Sequence, residues 1–320
     1  MSTSDSSREH LQLLLAVARM AYEDDLTQQE IAGRIGYSRP TVSRLLAEAR
    51  ERGIVRVTIS HPLEQALECE TQLQRRFGLR HAAVAISDTT RTAEAVGRLA
   101  GQTIAGWGGP RAMLALSNGS SLAAVVDAMP QQRWPSSCVT QMIGSLGRVD
   151  QQMADSPELC RRMAERLGGI HRPLPVPLVL SSAAVAASVR HEEVVLTTLE
   201  LAARSDIAVC GVGAVRQDGG SGAILAPFMT AEIEDEVIRG GAVAHICGHH
   251  FDAAGRHVRT SLCERLITMA PERLGDIPWS VVVAWGPEKV PALHAVLRTG
   301  FLSSIVTDER TARAVLSYQP

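Results

Sequence analysis

Leu26-Thr27-Gln28-Gln29-Glu30-Ile31-Ala32-Gly33-Arg34-Ile35-Gly36-Tyr37-Ser38-Arg39-Pro40-Thr41-Val42-Ser43-Arg44-Leu45-Leu46 decides how the amino-terminal part of the chain folds. Thr27 and Glu30 have the spacing of a capping box, in which a hydroxyl and a carboxylate satisfy the free amides that open a helix. The helix they predict is short, buries Ile31, Ala32 and Ile35, and stops at Gly36. Ser38 offers a second N-cap, and Pro40 is tolerated in a first turn whose amides have no helical acceptor. The second helix carries Val42, Leu45, Leu46 and Ala49 on one face and ends at Gly53. Small Ala32 lets the two helices approach, Gly36 supports the turn, and Val42 locks the second helix onto the first. That spacing is a helix-turn-helix.

Upstream, Leu11, Leu14, Leu15 and Ala18 form a helical stripe over residues 10–22. Downstream, Ile54-Val55-Arg56-Val57-Thr58-Ile59 alternates and is β-branched, which predicts a strand. Between Leu26 and Ser60 six arginines face three acids, a net +3 segment in a chain of net charge -2. A basic face of this kind attracts phosphates. Arg39, Pro40, Thr41, Ser43 and Arg44 point away from the apolar stripe near the helix start, where a recognition helix meets base edges in the major groove. Arg39 and Arg44 can each fork onto a guanine, and Thr41 and Ser43 can read bases or clasp phosphate. Thr27, Gln28 and Ser38, at the two helix starts, complete the candidate contacts to double-stranded DNA.

Length and composition set the frame. The 320 residues exceed one typical domain, and 45% hydrophobic with 21% charged residues excludes a disordered chain. No apolar stretch approaches the roughly 20 residues that span a bilayer, and the polar start lacks a signal peptide's apolar segment. A cytoplasmic protein with no membrane partner is expected. Six cysteines without CxxC spacing read as buried small hydrophobes, not as a disulfide frame. Of the 32 basic residues only Lys289 is a lysine.

The chain divides near residue 60, into a helix-turn-helix domain (1–60) and an effector and oligomerisation domain (61–320). After His61-Pro62 a linking helix carries Leu63, Leu67, Glu70 and Leu73 at helical spacing. Apolar runs at 82–86, 112–117, 139–143, 178–180, 207–212, 281–285 and 304–307 then alternate with helical stretches, predicting a Rossmann-like α/β domain with a mostly parallel sheet. Ligands of such sheets bind beyond the carboxyl ends of the strands. Four ends carry glycine: Asn118-Gly119-Ser120-Ser121, Gly144-Ser145-Leu146-Gly147, Gly211-Val212-Gly213 and Gly286-Pro287-Glu288-Lys289. Glycine lets backbone approach an anion, while helix-start amides, hydroxyls and a lysine bind it. The loops together point to a small phosphorylated molecule, and a solvated surface lysine is the ordinary alternative for Lys289. Cys247-Gly248-His249-His250 suggests metal at first sight. Adjacent strand histidines face opposite ways, however, and no second ligand cluster has matching spacing, so neither metal nor cofactor is expected.

Taken with Asp206-Ile207-Ala208-Val209-Cys210-Gly211-Val212-Gly213, Phe251-Asp252-Ala253-Ala254-Gly255, Pro287-Glu288-Lys289-Val290-Pro291 and Ile305-Val306-Thr307-Asp308-Glu309-Arg310, these segments resemble the SorC family of bacterial sugar-responsive transcription regulators. The resemblance implies an effector domain similar in fold to ribose-5-phosphate isomerase and glucosamine-6-phosphate deaminase but used for binding. It also implies a phosphosugar or polyol effector and a homo-oligomer, dimer or tetramer. By the same resemblance Gly119, Ser120 and Ser121 form a phosphate loop, and Lys289 is the cation that grips the effector; Asn118, a further candidate effector contact, and the two serines stand where a threonine pattern is more usual. Asp252 is a hydroxyl acceptor, and Gly211 and Gly213 are a close-packed wall; Gly144 and Gly286 join them as strand-end glycines. Trp285, where a small residue is usual, implies an altered pocket volume or a stacking surface. No paired acid and base stands out for turnover, though Asp252 and His250 are conceivable bases. A regulator is therefore expected, against a constitutive DNA binder or an isomerase-like enzyme.

Overall fold

The computed structural model describes residues 3–55, 62–86, 90–147, 153–216 and 222–320. Contacts divide the chain into two units, Met1–Ser60 and His61–Pro320. The first is built from α1 (Thr3–Tyr22), α2 (Gln28–Ile35) and α3 (Arg39–Glu51). The Thr27 hydroxyl accepts from the Glu30 amide at 3.3 Å, and the Glu30 carboxylate accepts from the Thr27 amide at 2.8 Å. Gly36 then closes α2 at φ 73°, a left-handed conformation that costs a β-carbon-free residue little. Ser38 caps α3, its hydroxyl accepting from the Thr41 amide, with Pro40 in the first turn. Leu14, Val17, Ile31, Val42 and Ala49 are fully buried in one cluster, so α1 supplies the apolar surface that two short helices lack. Ile54 and Val55 form a bend, and the rest of the strand expected at 54–59 lies outside the described residues.

The strands of the second unit are β1 (His81–Ala85), β2 (Met113–Leu116), β3 (Cys138–Gln141), β4 (Ile170–Arg172), β5 (Ile207–Cys210) and β6 (Gly213–Ala214). They continue as β7 (Ala242–Ile246), β8 (His249–Asp252), β9 (His257–Val258), β10 (Trp279–Val283) and β11 (Ser304–Asp308). Seven pair in parallel in the order β1-β11-β10-β5-β2-β3-β4. Ile207, Ala208, Val209 and Cys210 are each 0% exposed, the continuous burial of a strand covered on both faces. The helices are α4 (Pro62–Phe77), α5 (Thr92–Trp107), α6 (Ser120–Ala128), α7 (Ser156–Leu167), α8 (Ala183–Arg190), α9 (Glu193–Ala203), α10 (Gly222–Leu225), α11 (Ala231–Arg239), α12 (Val290–Leu297) and α13 (Glu309–Ser317). One face packs against α5, α6 and α7, the other against α4, α9, α11, α12 and α13.

Three features depart from the sequence expectation. Residues 178–180 do not join the sheet; Val179 makes only an isolated antiparallel bridge to Leu266. A second sheet, β6-β7-β8-β9, is antiparallel throughout and was not foreseen. The buried face of α4 is Ala66, Cys69 and Leu73, whereas Leu63 and Leu67 are each 51% exposed. Its position is fixed partly by Glu70, whose carboxylate accepts from the Val84 amide of β1 at 2.8 Å. Among the described residues no helix is long and apolar enough to cross a membrane.

Helices α5 and α6 meet through glycine. A β-carbon on Gly97 would stand 2.5 Å from the Ala124 carbonyl oxygen, whereas one on Gly33, in α2, would meet nothing within 4 Å. Gly97→Ala therefore overpacks and should cost about 1–3 kcal/mol. Gly33→Ala removes unfolded-state freedom and should gain up to about 1 kcal/mol. Thermal and urea denaturation of the two variants should move in opposite directions; a shift of the same sign would contradict the packing.

Candidate functional site

In parallel pairing all strands present their carboxyl ends at one edge. From β2 the chain proceeds to β3, on one side, and from β5 onward to β10, on the other. The chain thus leaves these two neighbouring strands in opposite directions, and the crevice between β2 and β5 is a topological switch point. A cavity of about 280 Å³ lies there, at the small end of the ~300–1,000 Å³ typical of ligand sites.

Residues 117–121, following β2, form one wall. Gly119 adopts φ 115°, which a side chain would resist, and its amide donates to the Ala154 carbonyl at 2.8 Å. No side chain caps α6, so Ser120 and Ser121 bring an uncapped helix start to the cavity. Asn118 is 6% exposed, and its Nδ2 finds no acceptor among the described residues. A buried amide without a partner costs free energy that a ligand oxygen can recover.

The facing walls come from Gly211, Val212 and Gly213 after β5, from His245 and the Cys247-Gly248 turn between β7 and β8, and from Lys289 at the end of the 3-10 turn Pro287–Lys289. Gly213 is where the His245 ring rests: a β-carbon there would fall 1.8 Å from Nε2. Cys247 is buried, and burial pushes its thiol up to about 12. Lys289 is half-buried, and burial lowers its pKa against the opposing pull of the Glu288 carboxylate. Among the described lining residues Lys289 carries the sole formal charge, and no acid joins it.

Of the ten expected effector-site residues, Asn118, Gly119, Ser120, Ser121, Gly211, Gly213 and Lys289 line the cavity. Gly144, Asp252 and Gly286 do not. Gly144 is a packing glycine, whose β-carbon would lie 2.6 Å from the Pro177 backbone. Its loop is tied down, with Ser145 donating to Asp155 at 2.6 Å and the Leu146 amide donating to the same carboxylate at 3.0 Å. Asp252 is consumed in the β8–β9 turn, where it accepts from the Ala254 and Arg256 amides and pairs with the Arg256 guanidinium at 2.7 Å. Gly286 donates to the Thr311 hydroxyl at 2.9 Å and serves the turn that delivers Lys289. Trp285 packs beside the core cluster under α5 and α6, not in the cavity, so it neither narrows nor floors it. Sequence reading missed Ser117, Ile143, Leu146, Ala154, Leu178, Val212, Gly222, Ile224, His245, Cys247 and Gly248, the lining that depends on the second sheet and on neighbouring loops.

In the helical unit Arg39, Pro40, Ser43 and Arg44 are exposed at the start of α3. Thr41 is half-buried, and its hydroxyl lies 2.8 Å from that of Ser38. Thr27 is likewise committed to Glu30, at 2.7 Å, and Gln28 is half-buried at the start of α2. Arg39 and Arg44 make no ion pair among the described residues, so neither has an internal partner to give up.

Comparison with known proteins gives one consistent answer. Residues 61–317 match the family described as "Putative sugar-binding domain", and residues 4–62 match the MarR family. The chain is 33% identical over 307 residues to the transcriptional regulator LsrR of Escherichia coli strain K12, covering 94% of each chain. It is 32% identical over 308 residues to LsrR of Enterobacter sp. strain 638, covering 96% of this chain and 93% of that one. The full-length sorbitol operon regulator SorC of Klebsiella pneumoniae is similar in structure, with a TM-score of 0.75, 25% identity, and coverage of 97% of this chain and 100% of that one.

The two wall glycines differ in consequence. A β-carbon on Gly211 would make ordinary contact with Leu122 at 3.7 Å, whereas Gly213 has no room beneath the buried His245 ring. Gly213→Ala should destabilise by about 1–3 kcal/mol as the ring is displaced, and Gly211→Ala should be close to neutral. Thermal denaturation compares them directly; equal midpoints would refute the placement of His245.

Proposed function

The chain belongs to the SorC family of sugar-binding transcriptional regulators, and on that premise we propose that a small phosphorylated sugar or polyol controls its binding to operator DNA of carbohydrate metabolism. The relatives are named as regulators, not enzymes, and this chain is a regulator. The phosphorylated effector is supported by one observation above all: a lysine joins an uncapped helix start in a cavity whose other described lining residues carry no formal charge. The positive end of the α6 dipole and an ammonium favour an anionic group, and Asn118 and the serines suit hydroxyls. The volume suits a molecule of sugar-phosphate size.

In this reading residues 1–60 bind DNA, and residues 61–320 bind the effector and hold the protein as a dimer or tetramer in the cytoplasm. Two helix-turn-helix units on half-sites about one helical turn apart add their contacts, which a single unit lacks. The exposed Leu67 of α4, 51% accessible on a helix otherwise docked by its opposite face, supports α4 as a contact between copies.

The DNA assignment is tested on α3. Arg39→Ala or Arg44→Ala should weaken specific operator binding and, where the side chain forks onto guanine, relax one base position by roughly 1–3 kcal/mol. Fluorescence anisotropy on operators with single base changes measures both effects. Unchanged affinity and base preference in both variants would exclude α3 as the reading helix.

The effector assignment is tested on Lys289. A planar guanidinium does not replace a compact ammonium in a tight site. Lys289→Arg should fold and bind operator normally yet lose most of its response to the phosphorylated effector. A thermal-shift panel of phosphosugars finds the effector, and calorimetric titration of wild type and variant follows. Equal effector affinity removes Lys289 from the site, and a panel without any stabilising member leaves a constitutive DNA binder.

A further inference from the structure

Beyond the cavity, on the far side of the β7–β8 turn, three potential metal ligands meet. His249 begins β8, His257 begins β9, and Cys263 opens the 3-10 turn Cys263–Arg265. His249 Nδ1 lies 3.1 Å from His257 Nε2, and Cys263 Sγ lies 3.8 Å from the same Nε2. All three ligand atoms fall within 4.8 Å of one another, and each residue is half-buried. Tetrahedral zinc, with bonds of about 2.0–2.1 Å to nitrogen and 2.3 Å to sulfur, needs N–N and N–S separations of about 3.3 and 3.6 Å. The His249–His257 and Cys263–His257 spacings differ from these by a few tenths of an ångström, and the third separation lies within 4.8 Å. The two imidazoles are steeply inclined, at 73°, so the rings do not stack.

We propose that His249, His257 and Cys263 form a binding site for a borderline-soft divalent ion of the zinc class, with a fourth position left for water. Two imidazoles and a thiolate select zinc over the hard, oxygen-seeking cations. On binding, the Cys263 thiol gives its proton to solvent as the metal–sulfur bond forms. The net charge of the cluster is then +1, and Glu272, whose Oε1 lies 3.6 Å from His257 Nδ1, supplies an outer carboxylate that balances it and orients the ring. Alternation along β8 turns His250 to the opposite face, toward His245, and only His249 reaches the cluster. The site does not depend on the effector reading. It would tie β8, β9 and the following turn together behind the Cys247-Gly248 wall of the cavity.

The test uses the tag-free full chain, stripped with chelator and titrated with cobalt(II) and then zinc. One cobalt per chain should bind with a thiolate charge-transfer band and tetrahedral d–d bands, both erased by zinc. Cys263→Ser should lose the charge-transfer band and His257→Gln the tetrahedral spectrum. Each should weaken zinc by more than the roughly 10–100-fold expected for Glu272→Gln, an outer-shell change. In the unmutated chain, zinc should slow alkylation of Cys263 but not of Cys138, a half-buried cysteine outside the cluster, as read by mass spectrometry. This measurement stands even where a variant fails to fold. Absence of the charge-transfer band, equal zinc affinity in wild type and Cys263→Ser, or unprotected Cys263 at saturating zinc would each overturn the proposal.

Discussion

The reversal of strand order between β2 and β5 is the constraint on which the rest of the second unit depends. Parallel pairing forces every strand to end on the same edge, and connections that depart in opposite directions leave the edge open at that point. Into the opening the chain after β2 inserts the start of α6, and that helix can begin there only because Gly119 takes φ 115°. The site is consequently built from backbone amides and short polar side chains. Bulky side chains would close the crevice. Glycine, serine and asparagine at 118–121 follow from geometry before any question of which effector is bound.

The parallel sheet was legible because strands covered on both faces are written as uninterrupted apolar runs, and β2, β5, β10 and β11 read that way. The antiparallel sheet was not. Strand β6 is two residues long and β9 likewise, too short for any alternation to show, and β7 and β8 mix histidine with alanine, valine, isoleucine, phenylalanine and aspartate. Strand-end glycines were equally ambiguous. Gly119 opens a helix toward the cavity, while Gly144 makes room for Pro177, and no local pattern separates these uses. The family resemblance made Asp252 a hydroxyl acceptor, and the turn amides that engage its carboxylate were not visible in the sequence. On the helical side the capping box and Ser38 were readable in full, since caps depend only on residues three apart.

The hairpin between β7 and β8 links the cavity to the histidine cluster. Ile246 pairs with His249, so Cys247 and Gly248 form a two-residue loop, with φ of 50° and 84°. Positive φ at both positions is the type I′ geometry that matches the twist of a hairpin. It usually takes asparagine before glycine, and here the strained first position is cysteine. Its side chain is buried, with Sγ 3.4 Å from the sulfur of Met142, and that packing offsets the backbone cost. Cys247 thus behaves as a small hydrophobe, as its isolation in the sequence implied. Cys263, half-exposed beside two imidazoles, occupies a different chemical setting although the two look alike in sequence.

Lys289 brings these strands of argument together. A half-buried ammonium with no acid beside it among the described lining residues has lost hydration, and exposed Glu288 restores only part of that loss, so burial moves its pKa downward. In the proposed reading an anion entering the cavity recovers the deficit at both ends of its contact, at Lys289 and at the uncapped start of α6. A neutral sugar of the same shape gains neither. In the proposed reading this difference in binding free energy is what a switch can use, because an effector shifts a conformational equilibrium only by its differential affinity for the two states. The lysine turn and the α6 loop belong to segments some 170 residues apart in sequence. A ligand bridging them favours the arrangement in which they face each other across the crevice, and the strand ends that carry them are the elements through which that preference reaches the rest of the sheet.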